Sequence, residues 1–170
     1  MLWRFSLADI STLADGTIKY GVIIRRSSPI GALSRPGYRY WRVTWSSISG
    51  GNGSNQCAEA YAYLGASGTG SEIHASATAS GTCDTPSTAN NGSEGGSSIG
   101  GVTGTTLIYT FAAGTDLLSM KFQENTDGGY AQRTYAGTIA KSADGVSYSS
   151  VQTFAAQSPT VGSGSYTVTW

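Results

Sequence analysis

Tyr38–Trp45 reads YRYWRVTW, and its alternation decides the fold class. Trp41, Val43 and Trp45 fall on one face of an extended chain, while Tyr40, Arg42 and Thr44 fall on the other. Burying two tryptophans and a valine removes a large apolar area from water, at about 25 cal/mol per Å2. That face is therefore assigned to a core in preference to a sugar-stacking role for Trp41 and Trp45.

Working outward, more short extended segments appear. Thr12–Ala14 and Thr17–Ile24 flank Asp15-Gly16, a dipeptide that supplies the positive φ angles of a tight turn, which predicts an N-terminal hairpin. Arg25–Gly37 carries Pro29, Gly31, Pro36 and Gly37 and reads as a linker or wandering loop. Downstream, Cys57–Leu64 (CAEAYAYL) sets Ala58, Ala60, Ala62 and Leu64 against Glu59, Tyr61 and Tyr63. Helix competes there because Ala and Glu favour it. Residues 65–104 are rich in small residues and read as a long loop over a scaffold. Strands are expected again at Thr105–Phe111, Leu117–Glu124, Tyr135–Ser142, Ser147–Phe154 and Ser165–Trp170, the last tucked into a sheet. Many short strands between Gly-rich turns, with no convincing helix, define an all-β antiparallel sandwich or barrel. The expected division is an arm and linker over 1–37 and a sandwich over 38–170.

With 170 residues the chain has the length to bury a real core. Only 12% of residues are charged, and the formal net charge is zero. The distribution is uneven. Residues 1–42 hold seven basic and two acidic residues, net +5, and residues 43–170 hold three basic and eight acidic residues, net −5. Either the front segment meets an acidic partner, or its arginines pair with the acidic remainder of the same chain. No compact Lys/Arg run points to nucleic acid, and no apolar run reaches membrane-spanning length. Met1-Leu2-Trp3-Arg4 lacks a basic region leading into an apolar stretch, so a product made in a cytoplasm is expected.

Little catalytic chemistry is legible. His74, the one histidine, sits in Glu72-Ile73-His74-Ala75 with no nucleophile elbow nearby. It is read as an ordinary surface or core residue. No phosphate-binding glycine loop opens a helix, and ten dispersed acids do not point to a glycosidase pair. Cys57 and Cys83 are too few for a disulfide framework. Pairing between them is open only to a protein that ends up outside a cell, and buried free thiols are expected.

The order of features from Tyr38 onward resembles a discoidin-like (F5/8 type C, galactose-binding-like) domain. RYWRV is followed by a strand carrying a glutamate, Glu59. A loop similar to Ala–x–Asp–Gly follows at Ala89-Asn90-Asn91-Gly92, then the strand Leu107–Phe111, LIYTF. Lys141–Phe154, KSADGVSYSSVQTF, is similar to the closing hairpin, with Asp144-Gly145 suited to a two-residue turn, Ser142 bonding the turn backbone, and Tyr148 and Val151 on opposite sides unless a bulge intervenes. The resemblance covers about 115 residues in shared order; it implies a jelly roll. It also implies a structural calcium ion at the loop of Asn91, weakened because Asn91 replaces an aspartate with a neutral ligand.

Two functions follow as expectations. The first is a non-enzymatic virion structural protein of a tailed bacteriophage (tail, fibre, head–tail or decoration component) assembled in the host cytoplasm. It would form a homo-oligomer or part of a larger assembly, docking to neighbouring virion proteins through Arg25, Arg26 and Arg35. The alternative is a carbohydrate-binding module for a host cell-surface glycan, using loops 46–56, 84–104 and 124–134. There Tyr130 would be the stacking platform, with Asn125, Asp127 and Arg133 as hydrogen-bonding partners. No cofactor, membrane or nucleic acid is expected in either.

Overall fold

The computed structural model describes residues 6–12, 18–23, 37–50, 55–95, 98–126, 132–160 and 164–170. The chain divides into two compact units, Met1–Arg35 and Pro36–Trp170. In the first, β1 (Ser6–Thr12) and β2 (Ile18–Ile23) pair antiparallel from Ser6↔Ile23 to Thr12↔Ile18, with an irregularity between Leu7 and Ile10. A hairpin is expected here with its second arm over Thr17–Ile24, but the first arm runs over Ser6–Thr12 instead of Thr12–Ala14, and the Asp15-Gly16 turn lies outside the described residues.

The second unit is an all-β sandwich. β3 (Tyr38–Ser49) is the centre of a five-stranded sheet ordered β5-β6-β3-β8-β9, with β5 (Thr78–Gly81), β6 (Thr106–Thr115), β8 (Thr134–Ser142) and β9 (Ser149–Gln157). A three-stranded sheet, β10-β7-β4, opposes it, with β4 (Cys57–Tyr63), β7 (Ser119–Glu124) and β10 (Ser165–Thr169). Every strand pairing is antiparallel.

The alternation of YRYWRVTW places Trp41, Val43 and Trp45 in the core, each at 1% exposure or less. Trp45 packs edge-on against Phe122 of the opposite sheet (ring centroids 5.8 Å), and its Nε1–H donates to Tyr166 Oη at 3.0 Å. Phe122, Tyr166, Tyr135 and Phe154 complete a layer of stacked and tilted rings. At the other end Trp170 stacks on Trp41 at 5.4 Å and donates to the Leu117 carbonyl at 2.8 Å. Ala58, Ala60 and Ala62 of β4 are fully buried. Small side chains there leave room for the rings they oppose.

β4 is a strand because its neighbours bury it, which overrides the helical preference of Ala and Glu. Leu64 departs from the expected pattern. The strand ends at Tyr63, and Leu64 turns outward at 41% exposure. Residues 65–104 also differ from a plain loop. They carry β5 and 3-10 turns at Ala66–Gly68, His74–Ser76 and Pro86–Asn90, and they bury Cys83, Ala89 and Ile99. They cover the free edge of β4: Ile99 N–H donates to Cys57 O at 2.6 Å, and Ile73 N–H to Ala62 O at 2.9 Å. Edge coverage of this kind satisfies backbone groups that would otherwise invite another strand.

Truncating Trp45 to Ala should lower the unfolding free energy by about 3–5 kcal/mol. Tyr166→Phe should cost about 1–3 kcal/mol, because it strands a buried indole N–H. Urea unfolding of the two variants checks the order as well as the size.

Candidate functional site

Three polar clusters stand on this scaffold, and the first contains part of the expected loop site. Asn125 and Arg133 flank loop 124–134, but both are buried, at 1% and 4% exposure. The sequence reading placed them as surface hydrogen-bonding partners; the fold draws them inward beside Cys57, Glu124 and Tyr135. Asn125 N–H donates to Gln56 O at 2.9 Å, and Gln56 N–H donates to Tyr135 Oη at 3.3 Å. Burial raises the Glu124 carboxyl above the usual range, opposed by a hydrogen bond from Tyr135 and the charge of Arg133. Tyr130 and Asp127 lie outside the described residues, as do Arg25, Arg26 and Arg35.

Cys57 and Cys83 are both free and buried. Burial pushes the Cys57 thiol well up and the Cys83 thiol to about 11, which keeps both as weakly reactive thiols.

The second cluster centres on the single histidine. β4 carries Glu59 into complete burial, and His74 Nε2 lies 2.8 Å from its Oε1. Gly92 N–H donates to the same oxygen at 3.2 Å. Glu72 Oε1 stands 3.2 Å from His74 Nδ1, and Tyr61 packs edge-on against the imidazole at 4.8 Å. Outside this core, Tyr61 donates to Glu94 (2.6 Å) and Tyr63 to Glu72 (3.1 Å). Burial and the Glu72 carboxylate push the Tyr63 hydroxyl up to about 12. Chemically this is a bridge that ties residues 72–94 to β4. Glu72 was visible two residues from His74 in the sequence; Glu59, fifteen residues away, was brought in only by the fold.

Asn91 Oδ1 accepts Ser93 N–H at 2.8 Å, closing a local turn. No group of three or more His, Cys, Asp or Glu among the described residues is arranged to hold a metal ion.

The third cluster joins β3 to the turn after β8. The last ladder pair is Lys141↔Ser149, so the expected two-residue turn is a longer loop over 143–148. Asp144 organises it. Its Oδ1 accepts Val146 N–H and Ser147 N–H, each at 2.9 Å, and the Ser142 hydroxyl at 2.8 Å. Ser142 Oγ in turn accepts Gly145 N–H at 2.9 Å, the backbone bond expected of it. Gly145 has φ 78°, a backbone conformation a side chain would strain, and lies close against the Tyr40 ring. The loop delivers Tyr148 beneath the Arg42 guanidinium, 4.0 Å from ring centroid to Cζ, while Val151 packs toward the core. Lys141 Nζ sits 4.0 Å over Tyr38, and Arg39 lies 5.8 Å over Tyr40. Cations and rings therefore alternate along this end of β3 and β8.

With this geometry in place, comparison adds nothing further: the chain matches no protein-family model, and no curated protein or solved structure at a significant level.

Two outcomes test these clusters. His74→Ala should destabilise the chain by about 3–5 kcal/mol by leaving Glu59 buried and unpaired, and a Glu59→Leu/His74→Leu double variant should cost less; chemical denaturation measures both. The turn's backbone and hydroxyl bonds lower the Asp144 carboxyl from the ordinary 3.8 to about 2. A depressed carboxyl contributes stability above its ordinary value and loses it as pH falls through the lowered one. The Val146 and Ser147 amide resonances should therefore titrate with a midpoint near pH 2, and Asp144→Asn should abolish that titration.

Proposed function

We propose that this protein is a non-enzymatic structural component of a virion, of the tailed-bacteriophage kind, in which a sandwich is attached to neighbouring subunits by its N-terminal arm. The observation that carries the reading is the division into two units, the first of which forms a two-stranded hairpin among its described residues. A two-stranded hairpin is marginally stable in water by itself, so it gains its stability from a surface it docks on. Charge supports a surface on another subunit. Residues 1–35 hold five basic and two acidic residues, net +3, and residues 36–170 hold five basic and eight acidic residues, net −3. Arms of one copy and sandwiches of the next are thus complementary, with Arg25, Arg26 and Arg35 supplying charge to the arm and linker.

The sandwich itself reads as a discoidin-like jelly roll. Support comes from the way the chain passes between its sheets: β3 and β4, β6 and β7, and β9 and β10 are consecutive strands in opposite sheets. The charge-poor, small-residue-rich composition suits a module packed among copies of itself and its neighbours.

Deleting residues 1–24 should leave the sandwich with an unchanged thermal midpoint while excluding the protein from assembled particles. Incorporation of the truncated chain at the level of the full-length protein would overturn the reading.

A further inference from the structure

The outer face of the five-stranded sheet has one charged side chain at its centre. Register sets Ser80, Ile108, Arg42, Ala140 and Ser150 in one row across all five strands. Tyr40, Thr110 and Ser142 form the row on one side, and Thr44, Thr106 and Thr138 the row on the other. No carboxylate stands in these three rows.

Arg42 makes no hydrogen bond or ion pair with a described residue. Among the described residues its partner is the Tyr148 ring. Asp144, the acid in the adjoining loop, is committed to its own turn through Ser142, Val146 and Ser147. The guanidinium carbon lies 4.0 Å from the Tyr148 ring centroid, with Nε covered by protein. Its terminal nitrogens are the donors left to offer. A stacked guanidinium presents parallel N–H groups that match the two oxygens of a carboxylate, and the ring beneath limits the freedom lost on binding.

We propose that this face binds a carboxylate-bearing sugar, with Arg42 holding the carboxylate, Tyr148 fixing the guanidinium, and the hydroxyls of Thr44, Thr110 and Thr138 meeting the sugar hydroxyls. The surroundings choose the class. Hydroxyls both donate and accept, as sugar hydroxyls do. An extended peptide adds to a free strand edge, and Arg42 sits on the middle strand, where both edges are already paired. A long polyanion meets a unit of net charge −3, whereas a single sugar carboxylate meets chiefly the local cation. The site shares no residue with loop 124–134 or with residues 1–35, and its test does not depend on assembly.

The test is an NMR titration of the full chain with methyl glucuronide, with methyl glucoside, acetate and a short acidic peptide as comparators. Saturable shifts at Arg42, Thr44 and Thr110 with the glucuronide, and none with the glucoside, are expected. Arg42→Lys, which keeps the charge and loses the fork, should weaken binding about tenfold or more. Tyr148→Ala, in the loop, should weaken it several-fold while the unfolding curve stays close to that of the parent. Equal shifts with glucoside and glucuronide, acetate or peptide binding as tightly as the sugar, or an unchanged affinity in Arg42→Lys would each overturn the proposal. The sugar comparison uses the unaltered protein, so it holds even where a variant folds poorly.

Discussion

The contact between Trp45 and Tyr166 joins the two sheets at the middle of the sandwich, and much else depends on it. Trp45 belongs to the central strand of the five-stranded sheet and Tyr166 to the last strand of the other. An indole N–H buried between sheets needs an acceptor, and the Tyr166 hydroxyl is that acceptor at 3.0 Å. Phe122, Tyr135 and Phe154 pack around the pair with ring centroids between 4.9 and 6.3 Å. This aromatic layer fixes which strands face each other, and so fixes which side chains face out.

The same packing leaves one side of the sandwich to be closed by residues 65–104. Small residues there cannot form a core of their own, but they can lie close against edge strands and satisfy their backbone. Tyr109 shows how tightly the cover is held: its hydroxyl reaches both Ala60 O of β4 and Ala89 O of the covering segment, at 2.5 and 2.6 Å. The buried Glu59–His74 bridge fastens the same segment at a second point. The contact is a buried hydrogen bond of 2.8 Å between His74 Nε2 and Glu59 Oε1, so it holds the segment at a defined position. A single covering arrangement for a Gly- and Ser-rich stretch is the consequence.

Both proposals place function on surfaces. The assembly proposed here rests on the two-stranded arm, and the outer face of the five-stranded sheet carries a guanidinium that no described residue pairs with, set among hydroxyls. The Asp144 turn connects fold and face, because its hydrogen bonds set the loop that carries Tyr148 under Arg42. The closing hairpin thus belongs to the scaffold and also shapes a surface.

The alternation of YRYWRVTW determined by itself that Trp41, Val43 and Trp45 are core residues, since side chains along a strand have no other way to divide. Period-two patterning likewise located the strands from Thr106 onward and the second arm of the front hairpin. Sequence order could not tell that Asn125 and Arg133 turn inward, because burial of a loop flank depends on what packs against it. Nor could it pair Glu59 with His74 or Arg42 with Tyr148. Those partners lie far apart along the chain, and only strand register and the length of the 143–148 loop bring them within reach. Local pattern decides which face a side chain takes; tertiary packing decides what it meets there.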